Sequence, residues 1–532
     1  MRANSILEGS HALAMTKTVH SQAGAGSAFH LPFCPDGRAA LGLRFEAGCP
    51  EQNRPFLLVA TIIASAMAFI DATVVMIALP SLQADLDATF EAVQWVANAY
   101  ALFLGGLIVV GGGAGDRLGR RRTFVTGTVI FAVASLACAL ATSVEWLIVA
   151  RSVQGIGAAL LVPQSLAIIA AAYPKAVRGR AIGIWAGASA ITTSLGPVLG
   201  GFLIDAFHWR AIFLINLPLS AAVIVLALRY VPESRNDMVS GPLDWLGGLL
   251  AIVAFGSLAA GLTLISETSA ANALAILALC FGAIASVLFV LHEARATSPI
   301  MPLSLFGNRI FLSANIMTLF LYGALSGVLF LLPFDLIESR GMSATQVGLT
   351  LLPIGIIIGT LSRFAGVRAD RDGPRGLLVV GSLLVAASAA GLAFGAADYW
   401  IGVVAPIAIL SVGMALVVAP LTTAVMVSAP DSLSGAASGV NNAASRLAGL
   451  FAITIIGAVA SAVYLGELKA NGIPLDDRRF GVLPDAGRAD HAVFEQAFLS
   501  AYQVALLTAA ICGVLAAITA FAFMRPGTAN SP

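Results

Sequence analysis

The sequence predicts an all-α integral membrane protein with 14 transmembrane helices, arranged as two six-helix lobes with two extra helices between them. Of the 532 residues, 58% are hydrophobic and only 11% are charged. A soluble domain carries about 25% charged residues, so this chain has too few charges to cover a surface that faces water. In addition, one short basic loop occurs twice, each time between two long apolar segments. The first observation predicts a membrane protein, and the second predicts that one helical unit has been duplicated.

Fourteen apolar segments are long enough to cross a bilayer, since about 20 residues span its core as a helix. All six tryptophans lie within a few residues of a predicted helix end, where indole favours the membrane interface. Residues 1–53 lack the apolar core of about 7–15 residues that a signal peptide needs. We predict a disordered cytoplasmic tail at residues 1–55 and a second cytoplasmic tail at residues 526–532. Helices 1 to 14 are predicted near residues 56–80, 93–114, 123–142, 145–171, 181–205, 211–231, 243–265, 272–292, 310–333, 347–363, 376–397, 399–426, 435–465 and 498–524.

Basic residues are concentrated in every second loop. With the N-terminus placed in the cytoplasm, 15 basic residues fall in inside loops, whereas the short outside loops hold only Arg210 and Arg340. Because basic residues resist translocation, this asymmetry predicts a multi-pass protein of the cell (inner) membrane with both termini in the cytoplasm. The inside residues are Arg117, Arg120, Arg121, Arg122, Lys175, Arg178, Arg180, Arg229, Arg235, Arg295, Arg309, Arg363, Arg368, Arg371 and Arg375.

The repeated basic loop fits the pattern G-x-x-x-D-R-x-G-x-R in both copies. The copies lie in Gly112–Arg122 and Gly366–Arg375, and their aspartates, Asp116 and Asp370, are 254 residues apart (370 − 116 = 254). The first loop follows helix 2 and the second follows helix 10. A repeat of this kind is typical of a two-lobed membrane transporter.

Matching the two loops also assigns the domains. Helices 1–6 form a first lobe at residues 56–231, and helices 9–14 form a second lobe at residues 301–525. Helices 7 and 8, at residues 232–300, are then a two-helix insert between the lobes.

We interpret the two loops as a gate on the cytoplasmic side. Asp116 is expected to accept hydrogen bonds from the N-terminus of a neighbouring helix, while the adjacent arginines bridge the lobes or meet anionic lipid. Such contacts stabilise one access state and break in the other; the alternative is a positive-inside anchor only. The gating residues are Gly112, Asp116, Arg117, Gly119, Arg121, Asp370 and Arg371.

Three charged residues lie at least six residues from either end of a predicted helix: Asp71 in helix 1, Arg151 in helix 4 and Arg446 in helix 13. A charge within the membrane is costly unless it is paired or hydrated, so it often marks an ion or substrate pathway. Asp71 and Arg151 are predicted at similar depth, either as a proton- or substrate-coupling pair or as a structural ion pair. Arg446 follows Asn441 and Asn442 and is expected either to contact a polar or anionic substrate or to join two helices.

Helix 5 carries a cluster of small residues around a proline: Gly196, Pro197, Gly200 and Gly201. Small residues four positions apart let helix backbones approach closely, and proline bends a helix. The cluster therefore predicts a close helix contact at a kink.

Motifs for other chemistry are missing from the sequence. It contains no G-x-x-x-x-G-K-[ST], no H-E-x-x-H and no G-x-S-x-G, and its five cysteines form no C-x-x-C. We therefore expect neither an enzyme nor a metal or cofactor.

Together these segments resemble the major facilitator superfamily, specifically its 14-span drug:proton antiporter branch. The resemblance covers residues 56–525, with one departure: the helix-1 motif usually has Asn where this chain has Met76. The matching segments are 70–80, Gly112–Arg122, the pattern Leu147-x-x-x-Arg151-x-x-Gln154-Gly155-x-Gly157, and 196–201, 209–218 and 439–442.

The resemblance implies export of drugs or other amphipathic compounds, driven by inward proton flow, through rocking of the two lobes. It makes Asp71 the protonation candidate and Arg151 its electrostatic partner, and assigns the seal between lobes to the Gly-Pro cluster. Implied partners are a small-molecule cargo, protons and the bilayer, with a periplasmic adaptor left open and no nucleic acid. Two alternatives remain: a dedicated exporter of an endogenous metabolite, lipid or siderophore, and a non-transporting membrane sensor or scaffold.

Overall fold

The computed structural model describes residues 50–235, 243–264, 269–395, 398–430, 433–473, 480–481, 484 and 490–524. Within these ranges the regular secondary structure is helical throughout. The predicted tails lie outside the described residues except for residues 50–55, where the first helix already begins at Arg54. Cys34 and Cys49 also lie outside them.

Fourteen helices of the described ranges are long and apolar enough to cross a membrane, which confirms the predicted number. The ninth helix continues through a π-helical turn at Asp335–Ser339, and the twelfth opens with another at Trp400–Val404. We number the helices α1 (Arg54–Asp85), α2 (Phe90–Leu118), α3 (Arg120–Ala139), α4 (Val144–Ala172), α5 (Lys175–Ala206), α6 (Ala211–Tyr230), α7 (Trp245–Leu264), α8 (Ser269–Glu293), α9 (Arg309–Phe334), α10 (Ala344–Asp372), α11 (Pro374–Ala393), α12 (Trp400–Ser428), α13 (Ser434–Ala470) and α14 (His491–Phe523).

Several helices run past the boundaries that hydropathy predicted. Helix α10 extends nine residues beyond the predicted end at residue 363, to Asp372, and α14 begins at His491 rather than near 498. Hydropathy marks only the part of a helix that crosses the hydrocarbon, whereas backbone hydrogen bonding continues through polar residues at the interface. The connection between the last two helices, which the predicted ends at residues 465 and 498 leave 32 residues long, is correspondingly shorter.

Local sequence explains where many helices begin. The side chains of Thr89 and Ser143 accept hydrogen bonds from the backbone N–H groups of Ala92 and Trp146, and Ser343 forms a reciprocal capping box with Gln346. These side chains satisfy N–H groups that have no partner within the helix.

The helices pack as two sets with the α7–α8 pair beside them. We call α1–α6 the first lobe and α9–α14 the second lobe. Within the first lobe, α4 packs against α2 and α3, and α6 packs against α1 and α3; within the second, α11 packs against α12 and α14, and α9 packs against α13 and α14. The main contacts between lobes are α5 against α10 and α2 against α13, while α7 packs on α8 and touches α2 and α13.

Helices α5 and α10 touch from the start of α10 to Gly355, where a Cβ atom would overlap Ser194 of α5, but not at Gly359. At Gly201 and Gly348 a Cβ atom would overlap the backbone of Ala344 and of Pro197, respectively, on the opposing helix. Gly359 lies on the same face of α10, three turns after Gly348, and a Cβ there would have nothing within 4 Å. A cleft between the lobes therefore opens toward the end of the molecule that carries the two Asp-Arg loops. We call this the basic end and the opposite one the far end.

The far end is closed by aromatic rings from both lobes. Phe90 of α2 lies 5.4 Å from Phe330 and 5.5 Å from Phe334 of α9, and 4.7 Å from Phe480 of the α13–α14 connection, measured between ring centroids. Phe480 is 2% exposed, and its carbonyl accepts a hydrogen bond from Gln83 Nε2 at 3.0 Å. The connection thus contributes to the seal between the lobes.

The carboxylate of Asp205 adds a polar contact to this seal. Its two oxygens accept hydrogen bonds from the backbone N–H groups of Ala344 (3.1 Å) and Thr345 (2.8 Å). These groups form the N-terminus of α10, where the helix dipole favours a negative charge. The C-terminal end of α5 is therefore held electrostatically to the start of α10.

Candidate functional site

Asp71 and Arg151 form a buried ion pair within the first lobe. Arg151 Nη1 lies 2.5 Å from Asp71 Oδ2, and each side chain is only 1% exposed. Asp71 projects from α1 and Arg151 from α4, so the structure brings together the two residues for which the sequence predicted similar depth.

A shell of uncharged polar groups completes the surroundings of Asp71. Gln154 Nε2 donates hydrogen bonds to Asp71 Oδ1 (2.9 Å) and to Ser135 Oγ (2.8 Å), and Gln154 Oε1 accepts one from Arg151 Nη1 (2.6 Å). Asn216 Nδ2 lies 3.4 Å from Asp71 Oδ1 and 3.3 Å from Ser135 Oγ. The network therefore joins α1, α3, α4 and α6. Ser135 has no signal in the sequence, whereas Asn216 lies in one of the matching segments.

Aromatic and apolar groups enclose Arg151. Its guanidinium carbon lies 4.3 Å from the ring centroid of Tyr100 and 5.8 Å from that of Phe213. Its Nε donates to the carbonyl of Val96 at 3.1 Å, and the Tyr100 hydroxyl donates to the carbonyl of Ala68 at 3.1 Å. Because this enclosure excludes water, removing either charge leaves the other uncompensated in a medium of low polarity.

Arg446 lies apart from this pair, on α13 in the second lobe. Its guanidinium carbon lies 5.9 Å from the ring centroid of Phe69 in α1. Its Cβ packs against Gly105 of α2, where an added Cβ would be 3.1 Å away. The side chain is half-buried and therefore reaches the space between the lobes.

The glycine-proline cluster of α5 lies where three helices meet. A Cβ on Gly196 would be 2.6 Å from Thr73 Oγ1, and one on Gly200 would be 2.6 Å from a methyl of Val74, both on α1. Gly201 faces Ala344 of α10 instead. The cluster therefore lets α5 approach α1 on one side and α10 on the other.

The first Asp-Arg loop is a tight turn between α2 and α3. Gly119 has φ of 108°, a left-handed conformation that suits glycine. Asp116 Oδ1 accepts hydrogen bonds from Arg120 Nε (3.1 Å) and Nη2 (2.8 Å). We expected Asp116 to bind a helix N-terminus, and here the structure differs: Asp116 is on the last turn of α2, and the nearest donor is the arginine four residues on.

The N-terminus of α3 is bound by Glu233, which the sequence did not single out. Its oxygens accept hydrogen bonds from the backbone N–H groups of Arg121 (3.0 Å) and Arg122 (3.2 Å), and Arg120 N donates to the carbonyl of Ser234 at 2.8 Å. The segment after α6 thus closes over the loop. A Cβ on Gly119 would lie 2.7 Å from the Glu233 carboxylate, a second reason for glycine there.

The second Asp-Arg loop has the same kind of turn as the first, but its charged side chains are more exposed. Gly373 has φ of 82°, and Arg368 Nε lies 2.5 Å from Asp372 Oδ2. Asp370 and Arg371 are exposed, whereas their counterparts Asp116 and Arg117 are half-buried. The duplicated pattern therefore preserves the backbone turn, while the side chains have different surroundings.

Neither disulfides nor a metal centre occur among the side chains that the structure describes. Cys138, Cys280 and Cys512 are free, and no group of three or more His, Cys, Asp or Glu residues in these ranges could hold a metal ion.

Comparisons with known proteins agree on one family. The family model described as Major Facilitator Superfamily matches residues 61–453. The chain is 31% identical over 493 residues to the tetracenomycin C resistance and export protein of Streptomyces glaucescens, covering 88% of this chain and 91% of that protein. It is 32% identical to the lincomycin resistance protein of Streptomyces lincolnensis, covering 81% and 89%, and 34% identical to the multidrug resistance protein Stp of Mycobacterium tuberculosis, covering 76% and 75%.

Solved structures share the fold at low sequence identity. A bacterial homolog to the human lysosomal transporter Spinster, in an inward-facing and occupied conformation, matches with a TM-score of 0.63 and 19% identity, covering 89% of this chain and 97% of that one. The D-xylose-proton symporter matches with a TM-score of 0.58 and 17% identity, covering 88% and 98%.

Proposed function

Because the chain belongs to the major facilitator superfamily, we propose that it exports drugs or other amphipathic small molecules in exchange for protons. Relatives at 31–34% identity are named as antibiotic resistance, export or multidrug resistance proteins. The fourteen apolar helices supply the membrane domain that such a carrier needs. The partners in this proposal are the cargo, protons and the lipid bilayer.

The observation that carries the proton coupling is the buried pair of Asp71 and Arg151. Protonating Asp71 would remove one of two charges that lie 2.5 Å apart with almost no exposure. Arg151 would then be buried without a counter-charge, at a cost of several kcal/mol. A protonation step of this kind would favour a rearrangement of the helices that hold the pair.

A path of close contacts leads from the pair to the lobe interface. Asp71 lies on α1, two residues before Thr73 and three before Val74, the side chains that face Gly196 and Gly200 of α5. The other side of α5 contacts α10 of the second lobe. A shift of α1 on protonation would therefore be transmitted to α5 and its contact with α10.

The shape of the molecule and its charge pattern support alternating access. The far end is sealed, and the cleft opens toward the basic end. Since basic residues favour the cytoplasmic side, we place this opening on the cytoplasmic face of the cell (inner) membrane, with both termini on that side. Cargo would enter there and leave after the far-end contacts separate. In that second state the two Asp-Arg loops approach each other and act as the cytoplasmic gate.

Transport in reconstituted vesicles tests this proposal. Purified protein is placed in proteoliposomes with an imposed pH gradient, and dissipation of the gradient is followed while a panel of amphipathic compounds is added. We expect Asp71→Asn to keep its elution profile in size-exclusion chromatography and to lose proton-coupled transport by at least about 100-fold, the size of a typical contribution from a proton-transfer group.

The matched control is Asp244→Asn. The Asp244 side chain is also buried and lies 2.7 Å from His292, but Asp244 directly precedes α7 and His292 lies in α8, outside the two lobes. This control should transport at close to the wild-type rate. Wild-type coupling in Asp71→Asn would assign the pair a purely structural role. If the wild-type protein transports no compound of the panel and no compound dissipates the gradient, the chain is not an exporter of this class. That result would favour the sensor or scaffold alternative.

A further inference from the structure

We propose that Arg446 binds an acidic group of the cargo, so that the preferred substrates are amphipathic compounds in which a carboxylate, phenolate or similar oxyanion is attached to an apolar body. This inference deepens the export function proposed above and rests on it. Four observations carry it: the lack of a counter-charge for Arg446, the face of α13 on which it lies, its position along that helix, and the aromatic ring beside it.

Arg446 has no protein partner for its charge among the described residues. Arg151 is paired with Asp71, and Arg340 with Asp335, but within these ranges Arg446 forms neither an ion pair nor a hydrogen bond, and its buried Nε has no acceptor. An arginine that joins two helices would donate its N–H groups to carbonyl oxygens. An unsatisfied guanidinium within the membrane is costly, so a residue of this kind indicates a binding role more than a structural one.

The position of Arg446 on α13 directs it into the space between the lobes. Asn441 faces α9, where its Nδ2 donates to Thr318 Oγ1 at 2.8 Å, and Gly439 faces Val109 of α2. At 100° per residue, the strip between these two contacts carries only small or polar side chains from residue 435 to residue 449. The members of this strip are Gly435, Ser438, Asn442, Ser445, Arg446 and Gly449.

Arg446 also lies at a position along α13 that suits a cargo site. It follows Ser434, the first residue of α13, by 12 residues, which corresponds to about 18 Å along the helix axis. The hydrocarbon core is about 30 Å thick, so Arg446 lies well inside a helix that is long enough to cross it. A cargo that enters through the cleft at the basic end would meet this charge before the aromatic seal of the far end.

An aromatic ring of the opposite lobe lies beside the guanidinium. Phe69 of α1 lies 5.9 Å from it. An apolar ring beside a single fixed charge suits a ligand with an apolar body and one oppositely charged group. A guanidinium binds a carboxylate through two parallel hydrogen bonds, a geometry that few other side chains offer.

Transport of two dyes of opposite charge tests the inference. Wild-type protein, Arg446→Gln, Arg446→Lys and the control Arg363→Gln are reconstituted in proteoliposomes with a pH gradient, and uptake of the anion carboxyfluorescein and the cation ethidium is measured. Arg363 is a suitable control because it is an exposed arginine of α10, 4.6 Å from Phe364 of the same helix.

We expect the wild-type protein to move carboxyfluorescein faster than ethidium. Arg446→Gln should lower carboxyfluorescein transport by about tenfold or more, the value of one charge-assisted contact, without lowering ethidium transport. Arg446→Lys should recover part of the loss because it keeps the charge, and Arg363→Gln should match the wild type with both dyes.

Three results would overturn the inference. If Arg446→Gln lowers the transport of both dyes equally, and Arg446→Lys restores neither, Arg446 has a structural role. Unchanged carboxyfluorescein transport in Arg446→Gln, or a wild-type protein that moves only ethidium, would exclude anion recognition at Arg446 while leaving the export function standing. A wild-type protein that moves neither dye and dissipates no gradient with any compound would instead contradict the export function itself.

Discussion

Two arginines lie deep within the described helices and differ in what surrounds them. Arg151 is enclosed by Asp71, Gln154 and Tyr100, so its charge is compensated and removed from any ligand. Arg446 is half-buried and has no acid beside it in the described part of the chain. The same residue type therefore has two different surroundings here, and we propose a different role for each.

A double-mutant comparison of the ion pair supplies the prediction at this scale. Arg151→Gln leaves Asp71 buried without its counter-charge and should lower the free energy of unfolding by about 3–5 kcal/mol. The double variant Asp71→Asn, Arg151→Gln removes both charges, and we expect it to regain at least about 2 kcal/mol of that loss, since a neutral pair carries a smaller desolvation cost. Thermal unfolding of the detergent-purified proteins measures both. Equal stability of Arg151→Gln and wild type would mean that the pair makes no net contribution.

Charged residues were visible in the sequence, whereas their uncharged partners were not. Asp71, Arg151 and Arg446 interrupt long apolar runs, so their positions stand out without any structure. Ser135 occupies an equally apolar run, but a lone serine is common in membrane helices, and only the rotation of α3 directs it to Gln154. The extent of the network was therefore not predictable from residue types.

At the scale of single elements, α5 and α10 show how glycine controls the seal between the lobes. Gly201 of α5 and Gly348 of α10 lie where the two helix backbones meet, and neither position has room for a Cβ atom. The far-end seal thus depends on the absence of side chains at these two points as well as on Asp205 and the aromatic rings.

Gly348→Ala should therefore weaken the far-end seal. Its Cβ would overlap the backbone of Pro197, and since a backbone cannot move aside as a side chain can, α10 must move away from α5. We expect a several-fold slower transport cycle and faster labelling of a cysteine introduced at Thr345 by a membrane-impermeant maleimide. Gly359→Ala is the control, because its Cβ would meet nothing within 4 Å. Wild-type labelling and transport in Gly348→Ala would show that the contact does not govern closure.

Two helix N-termini are bound by carboxylates that are distant in the sequence, and a local sequence pattern cannot predict such contacts. Glu233 binds the start of α3, 112 positions earlier in the chain, and Asp205 binds the start of α10, 140 positions later. The sequence suggested Asp116 for a role of this kind because it lies beside a helix start. In the structure the distant carboxylates have this role, since Asp116 is already engaged by Arg120.

At the scale of the whole molecule, the charge pattern and the cleft together predict how the protein lies in the membrane. The cleft opens at the end that carries both Asp-Arg loops, and the positive-inside rule assigns this end to the cytoplasm. An aqueous entrance on the cytoplasmic side is what an exporter requires.

Thiol labelling tests this orientation. In a cysteine-free background, Arg371→Cys at the basic end should be labelled by a membrane-impermeant maleimide only after the membrane is opened. Arg340→Cys at the far end should be labelled in intact spheroplasts. Because basic residues resist translocation, the end rich in arginine should stay in the cytoplasm and the opposite end should face outward. The reverse pattern would place the cleft outside and contradict export from the cytoplasm.

The sequence by itself determined the number of membrane helices, the repeated turn at Gly119 and Gly373, and the candidate charges, because hydropathy, φ preference and isolated charge act over a few residues. Only the tertiary structure decided which groups meet. It placed Gln154 and Asn216 around Asp71, brought Glu233 to α3, and left Arg446 facing the space between the lobes without an acid. These outcomes depend on how each helix is rotated and which helices it touches, and packing between residues 83 or more positions apart sets both.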